Sequence, residues 1–279
     1  MVYQIQIKAG EEMLKIGLIG YGAIGKDVLE YIKEHKVKGV IVSSILVRNK
    51  GKYEGSGAFH LMTDNEKTFF LNDYDVIIEC AGHEAVYQYA VRALSSGSHF
   101  ITVSVGAFSD TKLLEDVRHS AHTHNQKLIL PSAAIGGLDR IAASTIHNID
   151  EVKLVTRKPP EAWRGTIAEE KVNLDNVLEP SVIYEGTAKE SAKLFPQSTN
   201  VSAALSLAGV GFEKTKIQVL VDPEVTSNTH QIVAKGYFGE VELTIKNTPS
   251  AENPKSGYIV AMSICKVLKD FTSPIVIGI

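Results

Sequence analysis

Three glycines at fixed spacing carry the most specific chemistry in the chain. The apolar run Leu14-Lys15-Ile16-Gly17-Leu18-Ile19 ends in Gly20-Tyr21-Gly22-Ala23-Ile24-Gly25. G-x-G-x-x-G placed after a strand and before a helix is the pattern of a dinucleotide cradle. Gly20 permits the tight turn, Gly22 lets the backbone approach a pyrophosphate, and Gly25 lets the helix pack close to the strand. Ala23 and Ile24 lie inside the loop and share its contacts. The helix N-terminus then offers free N–H groups and the positive end of its dipole to the phosphates.

The flanking elements supply the context this loop needs. Ile24–His35 spaces Ile24, Val28, Leu29 and Ile32 at helical intervals, with charged residues between them. Gly39–Val47 is β-branched and almost continuously apolar, as a strand buried on both faces should be. At the end of such a strand an acid would grip the ribose 2′-hydroxyl of NAD. This chain reads Arg48-Asn49-Lys50 instead. Basic residues there suit a 2′-phosphate, although a solvated loop would read the same. The expected cofactor is therefore NADP or NAD, with NADP favoured, and Arg48 and Asn49 enter the contact set.

Residues 51–72 are mixed, and their apolar group Thr68–Leu71 has no clear place. Tyr74–Cys80 is a further buried-strand pattern, followed by Ala81-Gly82 and a helix over Glu84–Ser95. Strands of a doubly wound sheet end where the ligand crevice opens, which puts Cys80 and Ala81 beside the cofactor. His83 reads as a helix-start residue satisfied by local backbone. Strands at Phe100–Val103 and Lys127–Leu130 alternate with helices over Asp110–His124 and Leu138–His147. His119 and His122 share a helix face but lack an acidic or cysteine partner, so no metal site is expected. The alternation predicts an α/β fold, a Rossmann-type doubly wound parallel sheet.

Beyond Asp150 the pattern changes. Val152–Arg157 alternates as a half-exposed strand, Thr187-Ala188-Lys189-Glu190 is a capping box, and Val201–Ala208 reads as a helix with Asn200 at its N-cap. Strands at Lys216–Val221, Gln231–Phe238 and Glu240–Lys246 follow, then a helix over 253–271 and a short strand Ile275–Ile277. This is a smaller mixed α+β domain. The expected division is 1–137 for dinucleotide binding and 138–252 for substrate and oligomerisation.

Composition narrows the function. The 279 residues carry a net charge of −3, 44% hydrophobic and 22% charged residues. There is no basic field for nucleic acid. Two cysteines, Cys80 and Cys265, form no framework and suit a reducing, cytoplasmic setting. No stretch is apolar enough for a membrane span, and Met1–Glu12 reads as a short leader strand or extension. The expected partners are small molecules and further copies of the chain, as a homo-oligomer, a dimer.

Several stretches together resemble the L-aspartate dehydrogenase family. They are Gly20–Gly25, Ser104-Val105-Gly106-Ala107, Ser132–Asp139, Phe195–Val201, Asp222-Pro223 with Asn228-Thr229-His230, and Asn253-Pro254-Lys255-Ser256, in the family's order. The resemblance implies NAD(P)-linked oxidation of L-aspartate to iminoaspartate, which hydrolyses to oxaloacetate and ammonia. It implies His230 as acid/base, and Ala134 and Asn200 as cofactor contacts. The family commonly shows glycine where this chain has Ala133. The final helix, 253–271, is expected to pack back on the first domain.

From the residues alone, His230 reads as a structural loop histidine; the resemblance makes it catalytic, and histidine is the side chain whose ordinary pKa suits proton exchange near neutral pH. Asp222 would orient the imidazole if it lies close. A dicarboxylate needs cationic or hydroxyl partners, for which Lys158, Arg164 and Ser132 are the candidates. The rival readings are another oxidoreductase on a small amino or hydroxy acid or an imine, homoserine-dehydrogenase-like, and a dinucleotide sensor without turnover.

Overall fold

The structure is a computed structural model that describes residues 13–195, 199–253 and 256–278. The expected leader at Met1–Glu12 lies outside the described residues, as do Pro196–Ser198 and Pro254-Lys255 within two of the quoted motifs.

The first half runs β1 (Leu14–Ile19), α1 (Ala23–Lys33), β2 (Val40–Leu46), β3 (Met62–Thr63), α2 (Glu66–Phe69), β4 (Val76–Glu79), α3 (His83–Ser95), β5 (His99–Thr102), α4 (Thr111–Thr123) and β6 (Leu128–Ile129). These strands form a parallel sheet in the order β3-β2-β1-β4-β5-β6. The strand order reverses beside β1, with β2 and β3 added on one side and β4 to β6 on the other, which creates the crevice where ligands bind in such folds. Register brings Ile19 level with Leu46 and Glu79, and Glu79 level with Thr102, so the carboxyl ends of four strands share one edge. The unplaced group at 68–71 falls in and after α2, which Asn65 caps by accepting from Thr68 N at 3.1 Å. Its Phe69 is fully buried beneath Gly17, where a Cβ would come within 2.9 Å of the ring.

The second half runs α5 (Leu138–Ser144), β7 (Ile149–Lys158), β8 (Ser181–Thr187), α6 (Ala188–Leu194), α7 (Thr199–Ala208), β9 (Lys216–Val221), β10 (Thr229–Gly236), β11 (Gly239–Lys246) and α8 (Ile259–Thr272). Its sheet is mixed, in the order β11-β10-β7-β9-β8, with β7 and β9 parallel and the other neighbours antiparallel. Thr187 and Glu190 form the reciprocal capping box at the start of α6. Helix α7 begins at Thr199, which places Asn200 inside its first turn rather than at the cap. The expected strand Ile275–Ile277 does not form: the segment pairs with no strand among the described residues, and Ile275 and Ile277 are exposed.

Packing joins the halves. One apolar cluster runs from Ile77, Phe100 and Phe108 under the parallel sheet into Ile141, Leu154, Trp163 and Leu205 of the second half. A second cluster packs Val28, Leu29 and Ile32 of α1 against Val260, Ile264, Cys265 and Leu268 of α8. The last helix therefore returns to cover the first sheet. It starts at Ile259, just after Gly257, which forms a bridge with Pro249.

Candidate active site

The glycine loop is a cradle whose dimensions follow from the missing side chains. Gly20 has φ of +96°, a left-handed value that favours glycine, and a Cβ there would lie 2.8 Å from that of Ala81. At Gly25 a Cβ would lie 2.5 Å from the Gly20 carbonyl oxygen. At Gly22 it would meet nothing within 4 Å, so that glycine faces open space. Helix α1 carries no side-chain cap and no acid in its first turn, which leaves its N–H groups to an incoming anion. These features fit a dinucleotide pyrophosphate.

A groove of about 610 Å³ extends from this loop along Val47, Arg48, Asn49, Lys52 and Tyr53. Arg48 is 86% exposed and only 3.9 Å from Glu84, an exposed pair of little energetic weight. Lys50, the other basic residue of the Arg48-Asn49-Lys50 run, instead lies over the Phe59 ring at 4.6 Å. Lys52, missed in the sequence, lines the groove in its place.

The groove continues into a cleft of about 330 Å³, with Cys80 and Ala81 common to both. The cleft is lined by Ile24, Ser132, Ala133, Ala134, Lys158, Asn200 and His230, together with Ser104, Asn228, Asn247, Asn253 and Ser256. Residues from nine separate stretches thus meet around one cleft. Of those missed by sequence reasoning, Asn228, Asn253 and Ser256 belonged to recognisable motifs. Asn247 carried no signal; its Nδ2 donates to the Ala134 carbonyl at 2.8 Å and fixes that loop.

His230 stands second on β10, between Thr156 of β7 and Ile245 of β11, and is 4% exposed. Its Nδ1 shares a 3.2 Å hydrogen bond with Thr156 Oγ1. Burial, and then the Lys158 ammonium, push its pKa down to about 4, so the apo imidazole is neutral at pH 7. Asp222 does not reach it. That carboxylate is 1% exposed and accepts from Arg157 Nη1 at 3.0 Å and from Glu224 N at 2.9 Å.

Lys158 ends β7 with its Nζ 4.6 Å from the Trp163 ring, inside the cleft wall. Arg164 is not in the cleft. Glu161 takes it through two bonds of 2.8 and 3.0 Å and Asp175 through one of 2.7 Å, on a separate surface depression. His83 is not satisfied by local backbone either: its Nε2 lies 2.8 Å from Asn200 Oδ1, which also accepts from Gly106 N at 2.9 Å. Asn200 thereby ties the second domain to the crevice of the first. Ala133 has φ of +50°, so its methyl group occupies a conformation that glycine would adopt without strain. His119 and His122 are exposed on α4, and among the described residues no group of three or more acids, histidines or cysteines is placed to hold a metal.

A doubly wound sheet with a pyrophosphate cradle, opening onto a polar cleft under a second sheet, defines a two-domain nicotinamide-dependent dehydrogenase. Residues 20–131 match the family described as homoserine dehydrogenase, NAD binding domain, and residues 139–271 match aspartate dehydrogenase, C-terminal. The L-aspartate dehydrogenase of Ralstonia pickettii is 38% identical over 260 residues, covering 92% of this chain and 97% of that one. That of Methanocella arvoryzae is 35% identical over 272 residues, covering 95% and 100%. The crystal structure of aspartate dehydrogenase from Thermotoga maritima superposes with a TM-score of 0.77 at 26% identity, covering 95% of this chain and 99% of that one. A hyperthermophilic archaeal homoserine dehydrogenase in complex with NADPH shares the fold, with a TM-score of 0.58 at 15% identity over 96% and 100% of the two chains. The chain belongs to the L-aspartate dehydrogenase family.

Proposed function

We propose that this chain oxidises L-aspartate with NAD(P)⁺ and water to oxaloacetate, ammonia and NAD(P)H through iminoaspartate, reversibly, with His230 as the acid/base. The observation that carries this reading is a buried neutral imidazole in the wall of a polar cleft that is continuous with the dinucleotide groove. In this reading 1–137 together with the final helix form the cofactor domain, and 138–252 form the substrate domain.

When bound, the cofactor supplies the acceptor for the hydride leaving Cα. The chain's own residues do the rest. With Nδ1–H donating to Thr156 Oγ1, His230 Nε2 keeps its lone pair for the substrate ammonium proton. Lys158 is suited to one substrate carboxylate and Ser132 to a hydroxyl contact. A carboxylate seated beside Lys158 offsets the second cause of the depressed His230 pKa. The base therefore strengthens when a substrate carboxylate takes that place. The protonated imidazole can return its proton as water adds to the imine and ammonia leaves.

We also infer a preference for NADP. Arg48 and Lys52 line the groove beyond the second strand, where charge-assisted bonds to a 2′-phosphate would form. Two of the three acids in the same groove are held by other donors, Glu66 accepting from Gln88, Tyr89 and Arg92 and Asp64 from Lys50 N, and the third, Glu84, makes only the exposed 3.9 Å pair with Arg48.

Steady-state kinetics test both statements. L-Aspartate should give the highest kcat/KM among aspartate, alanine, homoserine and malate, with NADP⁺ above NAD⁺. Oxaloacetate with ammonia should oxidise the reduced cofactor. Turnover of malate or homoserine with aspartate inert would overturn the substrate assignment.

A further inference from the structure

Glu79 closes β4 at the edge of the crevice and is fully buried. Its Oε1 accepts from Ala81 N at 2.6 Å, Gly82 N at 2.7 Å and Ser104 Oγ at 3.1 Å, and its Oε2 accepts from Thr102 Oγ1 at 2.5 Å. Thr102 Oγ1 itself accepts from Ser104 N at 3.0 Å, so its hydrogen is directed to Glu79. Two backbone N–H groups and two hydroxyls surround the carboxyl, the donor set a carboxylate takes; a protonated Glu79 would need one hydroxyl to turn round and accept. Burial leaves the carboxyl pKa above its ordinary value although all four donors act to lower it, so the donor geometry and not the pKa is what supports the ionised form.

No charged neighbour contributes to this balance, and among the described residues Glu79 has no ion-pair partner. A buried carboxylate normally finds a cation, because neutral donors replace only part of its lost hydration. Here the donors come from Ala81, Gly82 and Ser104, which themselves line the cleft, and the next residue, Cys80, lines both cleft and groove. The negative charge thus sits directly behind the wall of the cofactor crevice. The oxidised nicotinamide ring is a cation, and the reduced ring is neutral.

We propose that Glu79 is a fixed counter-charge that favours the oxidised over the reduced nicotinamide ring, in addition to bracketing the 80–82 turn. The inference rests on the dinucleotide site and is independent of the aspartate assignment. Its use in turnover is release: a site that holds the neutral ring less tightly lets the reduced cofactor leave after oxidation. The effect passes through the 80–82 turn and Ser104, from a fully buried carboxylate whose field is screened less than that of a surface charge.

The test is equilibrium binding of the oxidised and reduced forms of one dinucleotide, by calorimetry. Glu79→Gln should weaken the oxidised form about tenfold more than the reduced form. Ser104→Ala loosens the bracket but keeps the charge, and the ratio of the two dissociation constants should then stay within about twofold of wild type. Equal weakening of both forms by Glu79→Gln would reduce Glu79 to a bracket and overturn the proposal. If Glu79→Gln does not fold, wild type decides against ADP-ribose: the oxidised ring must add more affinity than the reduced ring, and the reverse order overturns the proposal. A wild-type chain that binds neither dinucleotide would overturn the dinucleotide site itself, a different and recognisable failure.

Discussion

The glycine cradle and the His230 cleft adjoin, yet they are assembled by opposite means. The cradle is six consecutive residues running from the end of β1 into the first turn of α1, and its shape comes from side chains that are missing at Gly20, Gly22 and Gly25. The cleft draws on residues as far apart as Ile24 and Val260, and its properties come from side chains that are present, a buried His230 among mostly half-buried and exposed polar neighbours. One region is a local backbone device that binds any dinucleotide. The other is a tertiary device whose chemistry depends on what surrounds one imidazole.

Crossed substitutions probe this difference most strongly. His230→Ala should lower kcat/KM for aspartate oxidation by about a thousandfold while dinucleotide affinity stays within about twofold. Gly25→Ala should do the reverse, weakening dinucleotide binding by at least about tenfold, because its Cβ would press to 2.5 Å on the Gly20 carbonyl. Full turnover by the histidine variant would remove the acid/base assignment. Unchanged dinucleotide binding in the glycine variant would show that the loop gives way without cost.

A smaller effect separates the regions by pH. The folded His230 pKa of about 4 lies below the ordinary 6.5, so the unfolded chain takes up the proton first. The associated stability is complete above about pH 6.5 and is lost as pH falls toward 4, amounting to about 3 kcal/mol. Urea unfolding of wild type and His230→Gln across that window should show the extra slope only in wild type. Parallel pH profiles would mean that the imidazole is solvated. The smallest effect is at Ala133, where glycine should relieve the positive φ and raise stability by up to about 1 kcal/mol in the same assay. A loss on Ala133→Gly would mean that the methyl group contributes more by packing on its neighbours than its backbone strain removes.

Legibility followed the same division. The alternation of buried strands and amphipathic helices was readable up to Ile129 because each element buries its own apolar stripe on a nearby neighbour. The α6 capping box was readable because its two partners are three residues apart. Misreadings fell where partners are distant. His83 pairs with Asn200 across 117 positions, Asp222 pairs with Arg157 rather than orienting His230, and Arg164 is claimed by Glu161 and Asp175. A charged or polar side chain takes whichever partner the fold brings within reach, and residue type alone does not name it.

The sequence by itself determined the phosphate cradle, the strand–helix alternation and, through its motifs, the family. Backbone geometry and apolar periodicity are local properties, and they survive in a linear reading. Only the tertiary structure decided that Thr156 holds His230, that Lys158 faces it while Arg164 does not, and that the Glu79 carboxyl, with no ion-pair partner among the described residues, lies behind the crevice. Burial and electrostatics depend on neighbours far along the chain, and those neighbours are assigned only when the two sheets close on one another.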